Sequence, residues 1–85
     1  MRLTMLARAW CHLCDEMQDA LRPIAARHGA TVTVIDVDDP AHAALETDWG
    51  ELVPVLFAGE PDPSRELCRC RLDAARVTAA LDAAE

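Results

Sequence analysis

The sequence lacks long apolar segments. None of its apolar runs approaches the ~20 residues that a membrane-spanning helix needs, and the N-terminus has no basic segment followed by an apolar one, the pattern of a secretory signal. These absences predict a soluble, cytoplasmic protein. The chain also has no lysine. The exclusive use of arginine over lysine and the high alanine content indicate a GC-rich bacterial genome. At 85 residues it is predicted to form a single domain, residues 1–85.

Positive charge is also scarce. Eight basic side chains stand against 15 acidic ones, which gives a formal net charge of −7. Such a chain repels nucleic acids and anionic membranes, so neither is expected as a partner, whereas a protein with a basic patch remains allowed. We expect a monomer. The four cysteines are too few and too unevenly spaced for a disulfide-rich secreted scaffold, and in a reducing compartment paired cysteines usually carry out chemistry or bind metal.

Two of these cysteines form a Cys-x-x-Cys motif. Cys11 and Cys14 follow a strand-like apolar run, Leu3 to Ala7, and precede a helix-periodic run that begins at Leu13. Two thiols on the first turn of a helix can close a small disulfide ring without unfolding, so the pair can cycle. Unpaired N–H groups and the helix dipole favour a thiolate at this place. The context therefore predicts a redox motif.

Other uses of the motif stay open. Cys-x-x-Cys also begins zinc ribbons and knuckles, a small domain can use such a pair as a structural disulfide, and an inert dithiol can remain in a domain without activity. A zinc site would recruit Cys68 and Cys70, but only one residue separates these two. Alternate strand positions do not present two sulfurs as a knuckle turn does. Redox chemistry is therefore favoured, and no metal site is predicted.

Hydrophobic periodicity and turn residues predict the element order β-α-β-α-β-β-α. The first strand is expected to be central, covered on both faces, and parallel to the second through a right-handed crossover. The predicted elements are a strand from Arg2 to Arg8, a helix from the cysteines to about His28 with a bend at Pro23 and Gly29 as its left-handed cap, a strand from Thr31 to Val37, a short helix from Asp38-Asp39-Pro40 to near Trp49-Gly50, a strand from Pro54 to Ala58, an antiparallel strand from Arg65 to Cys70, and a helix capped by Asp73.

This order resembles the thioredoxin fold, and most closely the glutaredoxin-like family of small thioredoxin-fold proteins. The resemblance is carried by the Cys-x-x-Cys motif between the first strand and the first helix and by the Val53-Pro54 step that opens the third strand. It covers essentially the whole chain. It implies an α/β architecture in which a four-stranded mixed sheet has helices on both faces. It also implies a cis peptide before Pro54, with Val53 as the backbone docking site of an extended thiol substrate.

The resemblance further implies contacts to a thiol substrate. Arg8, three positions before Cys11, matches a basic residue that helps to bind the glycine carboxylate of glutathione. Asp73 matches the start of the last helix, which the glutamyl carboxylate approaches. No cofactor is required on this view, and the electron donor is either glutathione or a reductase.

Each candidate residue has a predicted role. Cys11 is expected to attack a substrate disulfide, and Cys14 is expected to resolve the mixed disulfide. His12 either lowers the pKa of Cys11 as a nearby imidazolium or points to water. Trp10 either forms a wall of the substrate groove or covers the end of the sheet, and packing is favoured. The candidate site residues are the catalytic pair Cys11 and Cys14 and the substrate-binding residues Arg8, Trp10, His12, Val53, Pro54 and Asp73.

The two remaining cysteines are expected to share one face of the fourth strand. Cys70 would then return toward the dithiol, where it could trap a mixed disulfide, act as a relay or complete a metal site. The favoured interpretation is that Cys68 and Cys70 are small, reduced, apolar strand residues.

The leading hypothesis is a thiol-disulfide oxidoreductase that exchanges electrons with protein or low-molecular-weight disulfides through Cys11-His12-Leu13-Cys14. Its partners would be a disulfide-containing protein or thiol substrate and an electron donor. The alternative is a non-catalytic thioredoxin-fold module that binds a protein at the Val53-Pro54 groove, with or without a zinc ion held by cysteines.

Overall fold

The structure is a computed structural model that describes residues 1–84. The strands are β1 (Arg2–Ala7), β2 (Thr31–Asp36), β3 (Val55–Ala58) and β4 (Glu66–Arg69), and the helices are α1 (His12–His28), α2 (Ala43–Trp49) and α3 (Ala74–Ala83). Short 3₁₀ turns occupy Pro40–His42, Gly50–Leu52 and Pro63–Arg65. The predicted order β-α-β-α-β-β-α is confirmed. Within the described range, no helix has the length and apolar character needed to cross a membrane.

Strand β1 lies in the centre of the sheet, whose order is β2-β1-β3-β4. It pairs in parallel with β2 and antiparallel with β3, in a register that places Leu6 opposite Val55. Residues 3–6 of β1 are all buried. A strand with an apolar side chain on each face needs cover on both sides, and the prediction of a central, doubly covered strand is confirmed.

The two faces of the sheet carry separate apolar clusters. On one face α1 and α3 pack together, and the buried residues there are Leu3, Met5, Cys14, Met17, Leu21, Ile24, Leu56, Val77 and Leu81. On the other face Leu6, Val37, Val55 and Phe57 are covered from α2, where Trp49 meets Phe57 edge to face with ring centroids 5.0 Å apart. Helices on both faces of a mixed four-stranded sheet are therefore confirmed.

Local capping sets the helix ends. Helix α1 ends at His28 and is capped by Gly29, whose φ of 63° lies in the left-handed region that a residue without Cβ adopts easily. Helix α3 begins after Asp73, whose side chain accepts a hydrogen bond from the N–H of Arg76 at 3.0 Å. Both predicted caps are confirmed. Asp73 thus stabilises the start of α3 whether or not it contacts a substrate.

Strand β4 is shorter than expected, and one prediction about it is wrong. The strand ends at Arg69, and Cys70 has a φ of 68°. The N–H of Arg71 donates to the carbonyl of Arg69 at 2.8 Å, which is the i→i+2 bond of a γ-turn. Cys70 is exposed at this turn, while Cys68 remains in the strand and packs against the core. The two cysteines therefore do not share a strand face.

Replacement of Asp73 by alanine should destabilise the protein. Loss of a helix N-cap acceptor costs ~1 kcal/mol, and asparagine caps about as well as aspartate. We expect Asp73→Ala to lower the free energy of unfolding by about this amount and Asp73→Asn to leave it almost unchanged. Urea denaturation followed by circular dichroism measures both. Equal midpoints for wild type and Asp73→Ala would show that the cap contributes nothing.

Candidate active site

The two cysteines lie between the end of the central strand β1 and the first turn of α1. Cys11 is the N-cap of α1, with extended backbone angles, and the backbone N–H of Cys14 donates to Cys11 Sγ at 3.2 Å. Cys11 and Cys14 form a disulfide with their Cα atoms 5.2 Å apart. The sulfur of Cys11 thus occupies the place of the side-chain oxygen that usually caps a helix.

The two sulfurs differ in exposure. Cys14 is 2% exposed and belongs to the cluster under α1 and α3, whereas Cys11 is half-buried at its edge. An incoming group therefore meets Cys11 first. A thiolate at Cys11 would gain from the N–H of Cys14 and from the positive end of the helix dipole, which together favour the ionised form.

The Val53-Pro54 step lies beside this loop. The peptide between Val53 and Pro54 is cis, as predicted from the family pattern. Leu6 pairs with Val55, the first residue of β3, so Pro54 lies just before the paired part of that strand, next to the end of β1. The carbonyl of Pro54 also accepts a hydrogen bond from the N–H of Cys70 at 2.9 Å. The dithiol loop, residues 53–54 and the turn before α3 are thereby brought to one end of the sheet.

An open groove runs from this end along α1. It has a volume of about 370 Å³ and separates α1 from the turn that precedes α3. Its lining is mainly apolar, with a carboxylate and a guanidinium among the walls; the residues are Leu13, Glu16, Met17, Ala20, Cys70, Arg71 and Leu72. One lining residue, Leu13, lies between the two cysteines in the sequence.

Arg8 is turned toward the other face of the sheet. Its Nη2 lies 3.4 Å from Asp38 Oδ1 and 3.6 Å from Glu46 Oε1. Its Nε is buried and has no hydrogen-bond partner within residues 1–84. The guanidinium of Arg8 therefore links the end of β1 to α2 and to the loop after β2 through two ion pairs. Its predicted contact with a substrate carboxylate stays a prediction.

Trp10 overturns one expectation. The side chain was expected to cover the end of the sheet, but its relative accessible area is 102%. Its φ of 62° lies in the left-handed region, and the loop leaves the sheet before this residue, so the indole meets no core surface. The packing prediction is wrong, and a contact with substrate stays a prediction. His12 is also exposed, as the first residue of α1.

The remaining cysteines have different surroundings. Burial raises the pKa of the Cys68 thiol, which packs against the core. Cys70 is exposed and lines the groove. In the part of the chain from residue 1 to residue 84, no three His, Cys, Asp or Glu side chains are close enough together to hold a metal ion.

Residues 2–82 match the family model described as a glutaredoxin-like domain (DUF836). The chain belongs to this glutaredoxin-like family. Among solved structures, it is 40% identical to the structural genomics target protein XcR50 from X. campestris, with a TM-score of 0.68 and coverage of 98% of this chain and 99% of that one. It is 35% identical to protein Ne2328 from Nitrosomonas europaea, with a TM-score of 0.75 and coverage of 92% and 87%.

A more distant structure shows the fold of this glutaredoxin-like chain. Thioredoxin 1 from Thermosipho africanus has a TM-score of 0.67 at 19% identity, with coverage of 99% of this chain and 93% of that one. The predicted thioredoxin fold is therefore confirmed. The search of curated proteins gave no match.

The two free thiols of the oxidised protein should react at different rates. Cys70 is exposed, whereas Cys68 is half-buried and its pKa is raised by burial. Because the thiolate is the reactive form, we expect iodoacetamide at pH 8 to modify Cys70 at least about tenfold faster than Cys68. Intact mass measured on Cys68→Ser and Cys70→Ser separates the two rates. In denaturing urea the rates should converge; equal rates in the folded protein would contradict this arrangement.

Proposed function

We propose that the chain is a thiol-disulfide oxidoreductase in which Cys11 and Cys14 cycle between dithiol and disulfide. The observation that carries the proposal is the position of Cys11 Sγ at the N-cap of α1, where it accepts the N–H of Cys14 and is bonded to a buried second sulfur. A purely structural disulfide has no need of a partly accessible sulfur at a helix N-terminus, whereas a nucleophile does.

The reaction begins with the reduced protein. The Cys11 thiolate attacks one sulfur of a substrate disulfide, so that a Cys11–substrate S–S bond forms and the other substrate sulfur leaves as a thiolate, which takes up a proton. Cys14 then loses its proton and attacks Cys11 Sγ. The Cys11–Cys14 bond forms, and the second substrate sulfur leaves. The protein has lost two electrons and the substrate has gained them.

Unequal access to the two sulfurs supports this order of steps. Because Cys14 is buried on the core-facing side of α1, a large substrate reaches only Cys11, and Cys14 acts within the protein. Both sulfurs belong to the first turn of one helix, so the resolving step needs no rearrangement of the sheet. An extended substrate would pair with the backbone of Val53, as the family resemblance implies.

Electrons return from outside the chain. Two glutathione molecules, or one dithiol reductase, would reduce the Cys11–Cys14 bond by the same exchange in reverse. The proposal requires no bound cofactor. It includes a cytoplasmic location, since a reducing compartment keeps such a pair in its dithiol form between turnovers.

Serine substitutions test the two roles separately. We expect Cys11→Ser to lower the rate of bis(2-hydroxyethyl) disulfide reduction at least about 100-fold, since it removes the nucleophile. Cys14→Ser should still form the mixed disulfide and should accumulate it as a one-to-one adduct in intact mass spectra. Cys68→Ser makes the same chemical change at a thiol outside the mechanism and should keep the wild-type rate.

Two results would contradict the proposal. One is full activity of Cys11→Ser. The other is a Cys11–Cys14 pair that stays reduced in buffers poised between about −200 and −270 mV, the range of glutaredoxins and thioredoxin. Either result would favour the non-catalytic binding module instead.

A further inference from the structure

Trp10 presents a large aromatic surface beside the reactive sulfur. It precedes Cys11 directly, and its indole is fully exposed. The side chain adds nothing to the core, and its left-handed backbone is unfavourable for a residue with a Cβ. No side chain within residues 1–84 covers the indole, so it is open to solvent and to a molecule that approaches Cys11. A substrate at the dithiol can therefore cover its face.

The surroundings of the dithiol are acidic. Asp15 and Glu16 lie in the first turns of α1, and Asp36 at the end of β2 lines a hollow together with Asp15 and Cys14. Two guanidinium groups stand against these carboxylates: that of Arg8, which already pairs with Asp38 and Glu46, and that of Arg71 in the groove. Because the whole chain also carries a net charge of −7, the field at this end attracts a cation and repels an anion.

An exposed indole in an acidic field favours one kind of contact. A guanidinium or ammonium group binds over the face of a tryptophan ring because the ring's electron density attracts it, and tryptophan is the strongest aromatic partner. Glutathione disulfide carries two ammonium groups and four carboxylates, so its net charge is negative. Glutathione disulfide would therefore be repelled by the acidic surroundings of Cys11.

The groove along α1 offers a second, mainly apolar surface. Trp10 precedes Cys11 in the sequence, and Leu13, which lines the groove, lies between the two cysteines. Its apolar lining includes Met17 and Leu72. A small disulfide has too few atoms to cover both surfaces, whereas an extended polypeptide around a cystine can cover both.

From these observations we propose that the preferred substrate of the dithiol is a polypeptide disulfide with arginine or lysine beside its cysteines, one of which lies on the Trp10 indole. This inference rests on the function proposed above and names its substrate class. The exchange is the one already written: the polypeptide disulfide gains two electrons and two protons, and Cys11 and Cys14 close their disulfide.

Matched peptides test the charge preference. Two disulfide-linked peptide dimers would have the same length and sequence, except that arginines flank the cysteine in one and glutamates in the other. We expect kcat/KM for the arginine peptide to exceed that for the glutamate peptide by at least about tenfold at low ionic strength, with a smaller ratio at high salt because ions screen exposed charges. Glutathione disulfide should behave like the glutamate peptide.

Substitutions at Trp10 test the contact itself. We expect Trp10→Ala to lower kcat/KM for the arginine peptide about fivefold, and Trp10→Phe to lower it less, because a phenyl ring is a weaker partner for a cation. Each rate is divided by the same variant's rate with bis(2-hydroxyethyl) disulfide, which removes any change in the dithiol. The loss should appear mainly in KM, with a smaller loss in kcat, because a cation held beside Cys11 also favours its thiolate.

Charge variants provide the matched control. Glu16→Gln should narrow the ratio between the arginine and glutamate peptides, while Glu60→Gln removes one carboxylate in the turn after β3 and should leave the ratio unchanged. Equal kcat/KM for the two peptides, or faster turnover of glutathione disulfide than of the arginine peptide, would overturn the inference and leave the oxidoreductase intact. Failure with every disulfide, including the small neutral one, would overturn the proposed function as well.

Discussion

The pairing of β1 with β2 on one edge and with β3 on the other determines where the dithiol lies. The antiparallel register places Leu6 opposite Val55, so the loop after β1 and the Val53-Pro54 step emerge at the same end of the sheet. A slip of one residue would exchange the two faces of a strand that is buried on both. The core on each face therefore fixes the register, and the register keeps the Cys11–Cys14 loop and the cis peptide at the same end of the sheet.

The start of α1 combines a structural and a chemical task in one sulfur. The first N–H groups of a helix have no partner within it, and here Cys11 Sγ accepts one of them from Cys14. The same acceptor is the atom that would attack a substrate. Cys14 also fills part of the core, so packing positions one sulfur and helix capping positions the other. Both positions are set by the fold around the pair as well as by the S–S bond.

The sequence was most informative where structure is decided locally. Alternation along β1, the left-handed cap at Gly29 and the side-chain cap at Asp73 each depend on neighbouring residues, and each was predicted. The conformations of Trp10 and Cys70 were missed because neither residue type signals a positive φ. Cys70 is held by a hydrogen bond to Pro54, distant in sequence. The ion pairs of Arg8 likewise join three separate segments, and no spacing in the sequence indicates them.

The acidic surroundings of the dithiol oppose the chemistry proposed for it. Carboxylates such as Asp15 and Glu16 stabilise the positive end of α1, but they also disfavour a negative charge on Cys11. A cationic group bound on Trp10 would lie close to the same sulfur and would favour its thiolate. Recognition and activation would then be coupled, because the nucleophile would ionise more readily with the right substrate in place than without it. Such coupling would restrain reaction with small anionic disulfides while it promotes exchange with a cationic polypeptide.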